Sequence, residues 1–284
     1  MCLLRKEEDL MLESSSKNLT IAVITPVMGR IRKEWLSYLQ SILPENSKII
    51  LVGNITIPIH SSSDKIVILS EKCNRSKARN LGLLFCNEDL VFFLDFDQLP
   101  SKELLKEAIT VFREGYEVIK IPERFIGRTL WGKASALWKA SVQMVDRKYG
   151  CIPRIYSRRL LLEVGGFDKE LNVLEDFELY LRIKAKCVKE AWTKSPIYHF
   201  ESNSLIEILK KSRFYIDALS SKARRTISAR EVLRKYLKSI KVFVHAMASK
   251  ESMDVKLCCV ILNVIKMVML IFQIISSIVR QTLF

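Results

Sequence analysis

Between Asn18 and about Ile121 the chain alternates short aliphatic and β-branched runs with longer stretches whose apolar residues recur at helical spacing. That alternation limits the fold more than any other feature. Leu19–Thr25 reads as a strand ended by Pro26, and Lys48–Val52, Lys65–Leu69, Leu90–Leu94 and Glu117–Ile121 read as further strands. Lys33–Leu43, with Trp35, Leu36, Leu39 and Ile42 on one face, reads as a helix, as do Ser76–Phe85 and Ser101–Phe112. Ser101 is the expected N-cap of the last, with Glu103 in its first turn. Short strands separated by helices make βαβ units, and these build an α/β fold with a doubly wound, mostly parallel sheet flanked by helices. In such sheets ligands bind at the carboxyl ends of the strands.

The second half is less regular. Arg128–Val145 is mixed, Tyr156–Val164 reads as a short helix ending at Gly165-Gly166, Phe177–Lys186 as a helix, and Pro196–His199 as a short strand. Beyond Ser202 the pattern is helical only. The expected organisation is a leader over residues 1–17, a catalytic domain over 18–202 and a basic, hydrophobic helical tail over 203–284. Within the domain, 18–121 and 122–202 are expected to form two halves.

The strand LVFFL runs into Asp95-Phe96-Asp97. Two carboxylates so close are expensive to desolvate without a counter-charge. At a strand's carboxyl end they can share a hard cation, Mg²⁺ or Mn²⁺, which prefers oxygen ligands and recruits phosphates. Alone, such a tripeptide is equally a polar turn before Pro100. It is accompanied by Thr25-Pro26-Val27-Met28-Gly29-Arg30 after the first strand and by Asn74-Arg75-Ser76-Lys77-Ala78-Arg79-Asn80-Leu81-Gly82 after the third. Gly165-Gly166-Phe167-Asp168, Glu175-Asp176 and Tyr198-His199-Phe200 follow downstream. Asp176 precedes the apolar-periodic run Phe177, Leu179, Leu181 and Ile183 and would also serve as a cap at a helix start.

In this order and spacing the chain resembles the family 2 glycosyltransferases of GT-A fold, over roughly Leu19 to Tyr215. The resemblance implies that the first-strand turn (Thr25, Pro26, Arg30) and Lys77, Arg79 and Asn80 hold a nucleotide-sugar, UDP-linked in preference to GDP-linked. It implies that Asp95 contacts donor and metal, and that Asp97 and His199 complete a Mn²⁺ or Mg²⁺ site. It implies that Asp176, in preference to Glu175, is the general base for the acceptor hydroxyl. A single inverting displacement follows, with the metal offsetting charge on the departing diphosphate. Two departures stand out: Val52-Gly53-Asn54 occupies the place of an acidic pair that contacts the base in the family, putting Asn54 at the nucleotide, and Ser76 stands where a glycine is common.

Charge and hydropathy point to a surface. Lys and Arg total 46 against 31 Asp and Glu, a formal charge of +15. Twelve basic and only three acidic residues fall between Ser204 and Lys250, including Arg224-Arg225 and Arg234-Lys235. Such a segment suits an anionic leaflet. It has few aromatics for base stacking and no nucleic-acid motif, so no nucleic-acid partner is expected. Leu257–Val279 is long and apolar enough to cross a bilayer, but Asn263, Lys266, Gln273, Ser277 and Arg280 form one polar arc, which favours a helix at the interface or one packing that stripe on a partner. The seven cysteines are odd in number and scattered, without disulfide or zinc spacing, and the apolar N-terminal start is too short for a signal peptide. A transferase on the cytoplasmic membrane face, acting on a glycan or lipid-linked acceptor, is the leading expectation. A catalytically silent nucleotide-sugar-binding scaffold, or a basic membrane- or nucleic-acid-binding protein, are the alternatives.

Overall fold

A computed structural model of the chain describes residues 18–29, 31–54, 64–146, 151–221 and 239–282. The expected leader, Arg30, and the basic pairs Arg224-Arg225 and Arg234-Lys235 lie outside the described residues. The chain divides into two compact units. The first comprises Met1–Pro122, Pro153–Gly166 and Arg182–Pro196, the second Glu123–Ile152, Phe167–Leu181 and Ile197–Phe284.

The first unit holds a seven-stranded sheet. Strands β1 (Ile21–Met28), β2 (Lys48–Asn54), β3 (Ile66–Ser70) and β4 (Leu90–Phe93) run parallel in the order β3-β2-β1-β4. After β4 the chain turns into the short strand β5 (Gln98–Pro100). The sheet continues through an antiparallel β8 (Ile155–Ser157) to β6 (Val118–Lys120), which pairs in parallel with β9 (Glu190–Trp192). Ile21–Ile24, Ile49–Val52 and Leu90–Phe92 are wholly buried, the unbroken apolar runs of parallel strands covered on both faces. Helix α1 (Lys33–Ile42) buries the expected stripe of Trp35, Leu36, Leu39 and Ile42. Helix α2 (Arg75–Phe85) lies flat on β1: a Cβ at Gly82 would come 2.5 Å from Ile24 Cγ2. Helix α3 (Leu104–Arg113) starts later than expected. Glu103 is its N-cap, because the Ser101 carbonyl accepts the Leu104 amide in a turn that precedes the helix.

Strands β1 and β4 are neighbours, with Ile24 opposite Phe93, while β2 lies on the other side of β1. The order therefore reverses between β1 and β4, and their carboxyl ends frame the crevice where open α/β sheets bind ligands.

In the second unit β7 (Glu123–Ile126) pairs in parallel with β10 (Ile197–Phe200), placing Phe125 opposite His199. The segment that reads as mixed is a regular helix, α4 (Leu130–Val145), capped by the Thr129 side chain on the Gly132 amide. Residues 155–157 that read as the start of a helix form β8, and helix α5 (Arg158–Glu163) follows, capped by Ser157. Helix α6 (Glu175–Lys184) begins at Glu175, so Asp176 sits inside its first turn. Helices α7 (Leu205–Ser221), α8 (Ser239–Met247) and α9 (Met253–Thr282) belong to this unit, whereas the sequence sets them apart as a tail. Ala246 of α8 and Val255, Cys258 and Cys259 of α9 pack with Ala134 and Leu137 of α4.

Candidate functional site

At the carboxyl end of β4 the chain makes a tight, pinned turn. Gln98 N donates to the Asp95 carbonyl, and Asp95 N donates to Gln98 Oε1 at 3.1 Å. Trp35 Nε1 donates to Gln98 O at 2.8 Å, and its ring stacks on Phe96 at 4.4 Å between centroids. Arg32 also donates to the Phe96 carbonyl. The phenyl ring between the two aspartates is thus an anchor that holds their backbone in place.

Asp95 is set among arginines. Arg79 of α2, only 3% exposed, donates to Asp95 Oδ1 at 3.1 Å, and Arg154 Nη1 lies 3.8 Å from Oδ2. The Arg79 guanidinium also sits over the Phe93 ring, 5.9 Å from its centroid. Burial pushes the Asp95 carboxyl up, but Arg79, Arg75 and Arg154 outweigh that and the repulsion from Asp97, so it lies below the ordinary range. Arg75, Lys77 and Arg79 come from the first turns of α2, whose N-terminus is fixed by Asn74 Oδ1 accepting the Lys77 amide at 2.8 Å. Three guanidiniums and a helix N-terminus around one carboxylate suit a polyanion.

The other nucleotide residues expected from sequence fall on β1, at the end of β2 and on α2. Thr25 is fully buried in β1, and its hydroxyl has no hydrogen-bond partner among the described residues. Pro26 follows it, half-buried. Lys77 is exposed and Asn80 half-buried. Asn54 ends β2, exposed and opposite Met28. Gly53, beside it, has φ +145°, and a Cβ there would collide with the Val27 carbonyl, so the glycine answers to close packing on β1. The Gly165-Gly166 turn packs on α2. Gly166 has φ +67°, and a Cβ would fall 2.5 Å from Asn80 Oδ1. Arg182 locks the turn, donating to the carbonyls of Val164 and Gly166 at 2.6 Å each.

The second unit carries Glu175, Asp176 and His199. Leu174, with φ +62°, turns the chain into α6, a conformation that bulky residues adopt only where the surroundings hold them in it. Glu175 is buried behind it, and Asp176 is half-buried, its Oδ1 accepting the Phe177 amide at 2.8 Å. His199 Nδ1 lies 2.8 Å from Glu123 Oε2, which orients the ring, and Nε2 is 4.0 Å from Glu201 Oε1. Glu201 in turn binds Lys139 Nζ at 2.6 Å and Ser135 Oγ at 2.8 Å. Lys266 of α9 feels the same charges: burial and then Lys139 push its ammonium below the usual range, while Glu201 and Cys259 pull the other way.

Asp95 and Asp97 supply hard oxygen donors that fit Mg²⁺ or Mn²⁺ chemically. Among the described residues no group of three His, Cys, Asp or Glu side chains converges on one point. Such an ion would therefore depend on substrate phosphates, the usual mode for Mg²⁺ with one or two carboxylates. Sequence reasoning missed Arg154, Arg182, Glu123, Glu201 and Lys139. Each meets its partner across a long stretch of chain, and no local motif marks it.

The family profile of glycosyl transferase family 2 matches residues 33–163. That span includes Arg79, Asn80, Asp95, Asp97 and Arg154 and stops before Gly165, Asp176 and His199. Among solved structures, TarS of S. aureus is similar at 15% identity and TM-score 0.48, over 82% of this chain and 50% of that one. A TarS 1–349 structure from S. aureus is similar at 15% identity and TM-score 0.45, over 80% of this chain and 81% of that one. The chain thus spans half the length of the first. No curated protein matches it in sequence.

Proposed function

We propose, from the match of residues 33–163 to glycosyl transferase family 2, that the chain moves a sugar from a nucleotide-sugar to a hydroxyl of a glycan or lipid-linked acceptor, with inversion. The observation that carries this reading is the guanidinium cluster of Arg79, Arg75 and Arg154 around Asp95 at the carboxyl ends of β1 and β4. A donor's diphosphate is the polyanion such a cluster suits. Thr25 and Pro26 on β1, Asn54 at the end of β2 and Asn80 on α2 hold the nucleotide, uridine in preference to guanosine. Lys77 reaches a phosphate oxygen from the exposed side of α2.

A Mg²⁺ or Mn²⁺ ion would be held by Asp97 with Asp95 and by substrate phosphates, without the expected His199, and would offset the charge that builds on the leaving diphosphate. Asp176, fixed in the first turn of α6, takes the proton from the acceptor hydroxyl as that oxygen attacks the anomeric carbon. Buried Glu175 supports its position. The apolar helix α9, with mean hydropathy 2.3 over Met253–Gln273, and the basic segment before it keep the enzyme on a membrane, at its cytoplasmic face.

The test is a panel of UDP- and GDP-sugars with Mn²⁺, read as nucleoside diphosphate release with and without hydroxyl acceptors. One donor should turn over. Asp97→Asn and Asp176→Asn should each lower that rate roughly a hundredfold or more. Asp176→Asn should keep its donor affinity, because the base acts only once the acceptor attacks. Full rates in both variants would refute the assignment.

A further inference from the structure

Helix α9 has two dissimilar faces. Val255, Cys258, Cys259 and Leu262 are buried, the first three against α4 and α8. Lys266, one turn beyond Leu262 on the same face, is half-buried and feels the charges of Lys139 and Glu201. Asn263 Nδ2 donates to the Cys259 carbonyl at 2.8 Å. The polar arc therefore turns toward the protein at its centre.

The opposite face carries Leu257, Ile261, Val264, Val268, Ile271 and Ile275, none less than 39% exposed. Their spacing of four and three residues is that of a coiled-coil seam, but a seam in water is flanked by charged residues. Here Met267 and Phe272, 51% and 74% exposed, widen the stripe instead. A face so broad and uncharged suits acyl chains better than a second helix in water. Exposed Lys210, Lys211 and Arg213 on α7, with Lys241 and Lys250, supply charge that complements anionic headgroups. Crossing the bilayer would bring half-buried Lys266 to the depth of the hydrocarbon, where ionisable groups are costly.

We infer that α9 lies in the plane of an anionic lipid surface, with its Leu257–Ile275 stripe in the acyl boundary and its Val255–Lys266 face on the protein. This orientation rests on the membrane association proposed above and is independent of sugar transfer.

The experiment uses the full chain with phosphatidylcholine vesicles, with or without phosphatidylglycerol. Flotation should require phosphatidylglycerol. Leu257→Trp, Val264→Trp and Phe272→Trp should then be quenched equally by lipids brominated near the headgroup, beyond the signal of the four native tryptophans. Val264→Asp combined with Val268→Asp should cut the floated fraction by more than about tenfold with circular dichroism unchanged. Deep quenching that peaks at Val264→Trp would mean a crossing helix and would overturn the orientation. Equal flotation on neutral vesicles would overturn the anionic preference. A concentration-dependent dimer abolished by the double aspartate variant would assign the face to a second copy and overturn the lipid reading. No flotation at all would remove the membrane association with it, while nucleoside diphosphate release from the same sample reports on transfer separately.

Discussion

Replacing Arg79 by methionine separates two roles that Asp95 can play, as the anchor of an arginine cluster and as a ligand for a cation. Arg79 is 3% exposed and Asp95 25%, with 3.1 Å between their charged atoms. At an effective dielectric of about 20, unit charges about 4 Å apart attract by about 4 kcal/mol. Lost hydration takes back a large share, and breaking a buried pair costs about 3–5 kcal/mol in general. Arg154 at 3.8 Å and the partial exposure of Asp95 soften the loss. We expect Arg79→Met to destabilise the protein by about 2 kcal/mol at pH 7.

The assay is urea unfolding of wild type, Arg79→Met, Asp95→Asn and the double variant, all in EDTA so that no divalent cation contributes. The coupling energy of that cycle should be about 1–2 kcal/mol. Asp95 has its folded pKa depressed, so its contribution is present above the unfolded value and lost as pH falls through the folded one. The gap between wild type and Arg79→Met should accordingly be full at pH 7 and close below about pH 4. A coupling energy under about 0.5 kcal/mol, or a gap that persists in acid, would show that the pair holds nothing together. Asp95 would then be a solvated carboxylate, available to a cation first.

Two further predictions concern the frame around the site. Gly166→Ala should cost about 1–3 kcal/mol in urea unfolding, since it combines φ +67° with a Cβ 2.5 Å from Asn80 Oδ1, and it should weaken donor binding by displacing Asn80. A stability equal to wild type would mean that the turn is not held where the structure puts it. Glu107 of α3 accepts the amides of Lys194 and Ser195 at 2.6 and 2.9 Å. Burial pushes its carboxyl up, but the hydrogen bonds from Ser195 and from these amides, with the Lys194 charge, bring it below its ordinary value. Glu107→Gln should therefore cost about 1 kcal/mol at pH 7, a penalty that shrinks as pH falls below the ordinary glutamate value and through the lower folded one, because the stabilisation of a depressed carboxyl disappears as it is protonated. A penalty independent of pH would overturn the assignment.

Strands β1, β2 and β4 were legible because wholly buried parallel strands must be apolar throughout, and LTIAVIT, KIILV and LVFFL admit little else, whereas three-residue β8 read as the start of a helix and β9 was not read. The ends of the legible strands were less so: β1 runs through Pro26 to Met28 and β2 continues past Val52 to Asn54, while β4 stops at Phe93, two residues before Asp95. Helix starts were no clearer. Ser101 has the chemistry of a cap, but its carbonyl is drawn into a turn and the helix begins past it. Leu174 offers no hint of a positive φ, so α6 begins two residues earlier than the apolar period suggests. In α4 the periodicity was blurred because the helix packs on α8 and α9 through small residues such as Ala134, which a hydrophobic pattern weighs lightly.

At the site, the motif residues could be found because they are adjacent in sequence, while the groups that set their charge could not. Arg154 reaches Asp95 from a loop 59 positions away, and Glu123 meets His199 across 76. Such pairings exist only once the sheet has formed. The same limit applies to the last helix. A polar arc on an otherwise apolar helix is compatible with water, headgroups or a protein groove, and the pattern alone does not choose among them. Burial decides it: Val255, Cys258, Cys259 and Leu262 are buried, and half-buried Lys266 lies one turn further along that same face. Once that face is accounted for, the stripe from Leu257 to Ile275 is left as the face available to a membrane, and the length of the helix ceases to be an argument for crossing one.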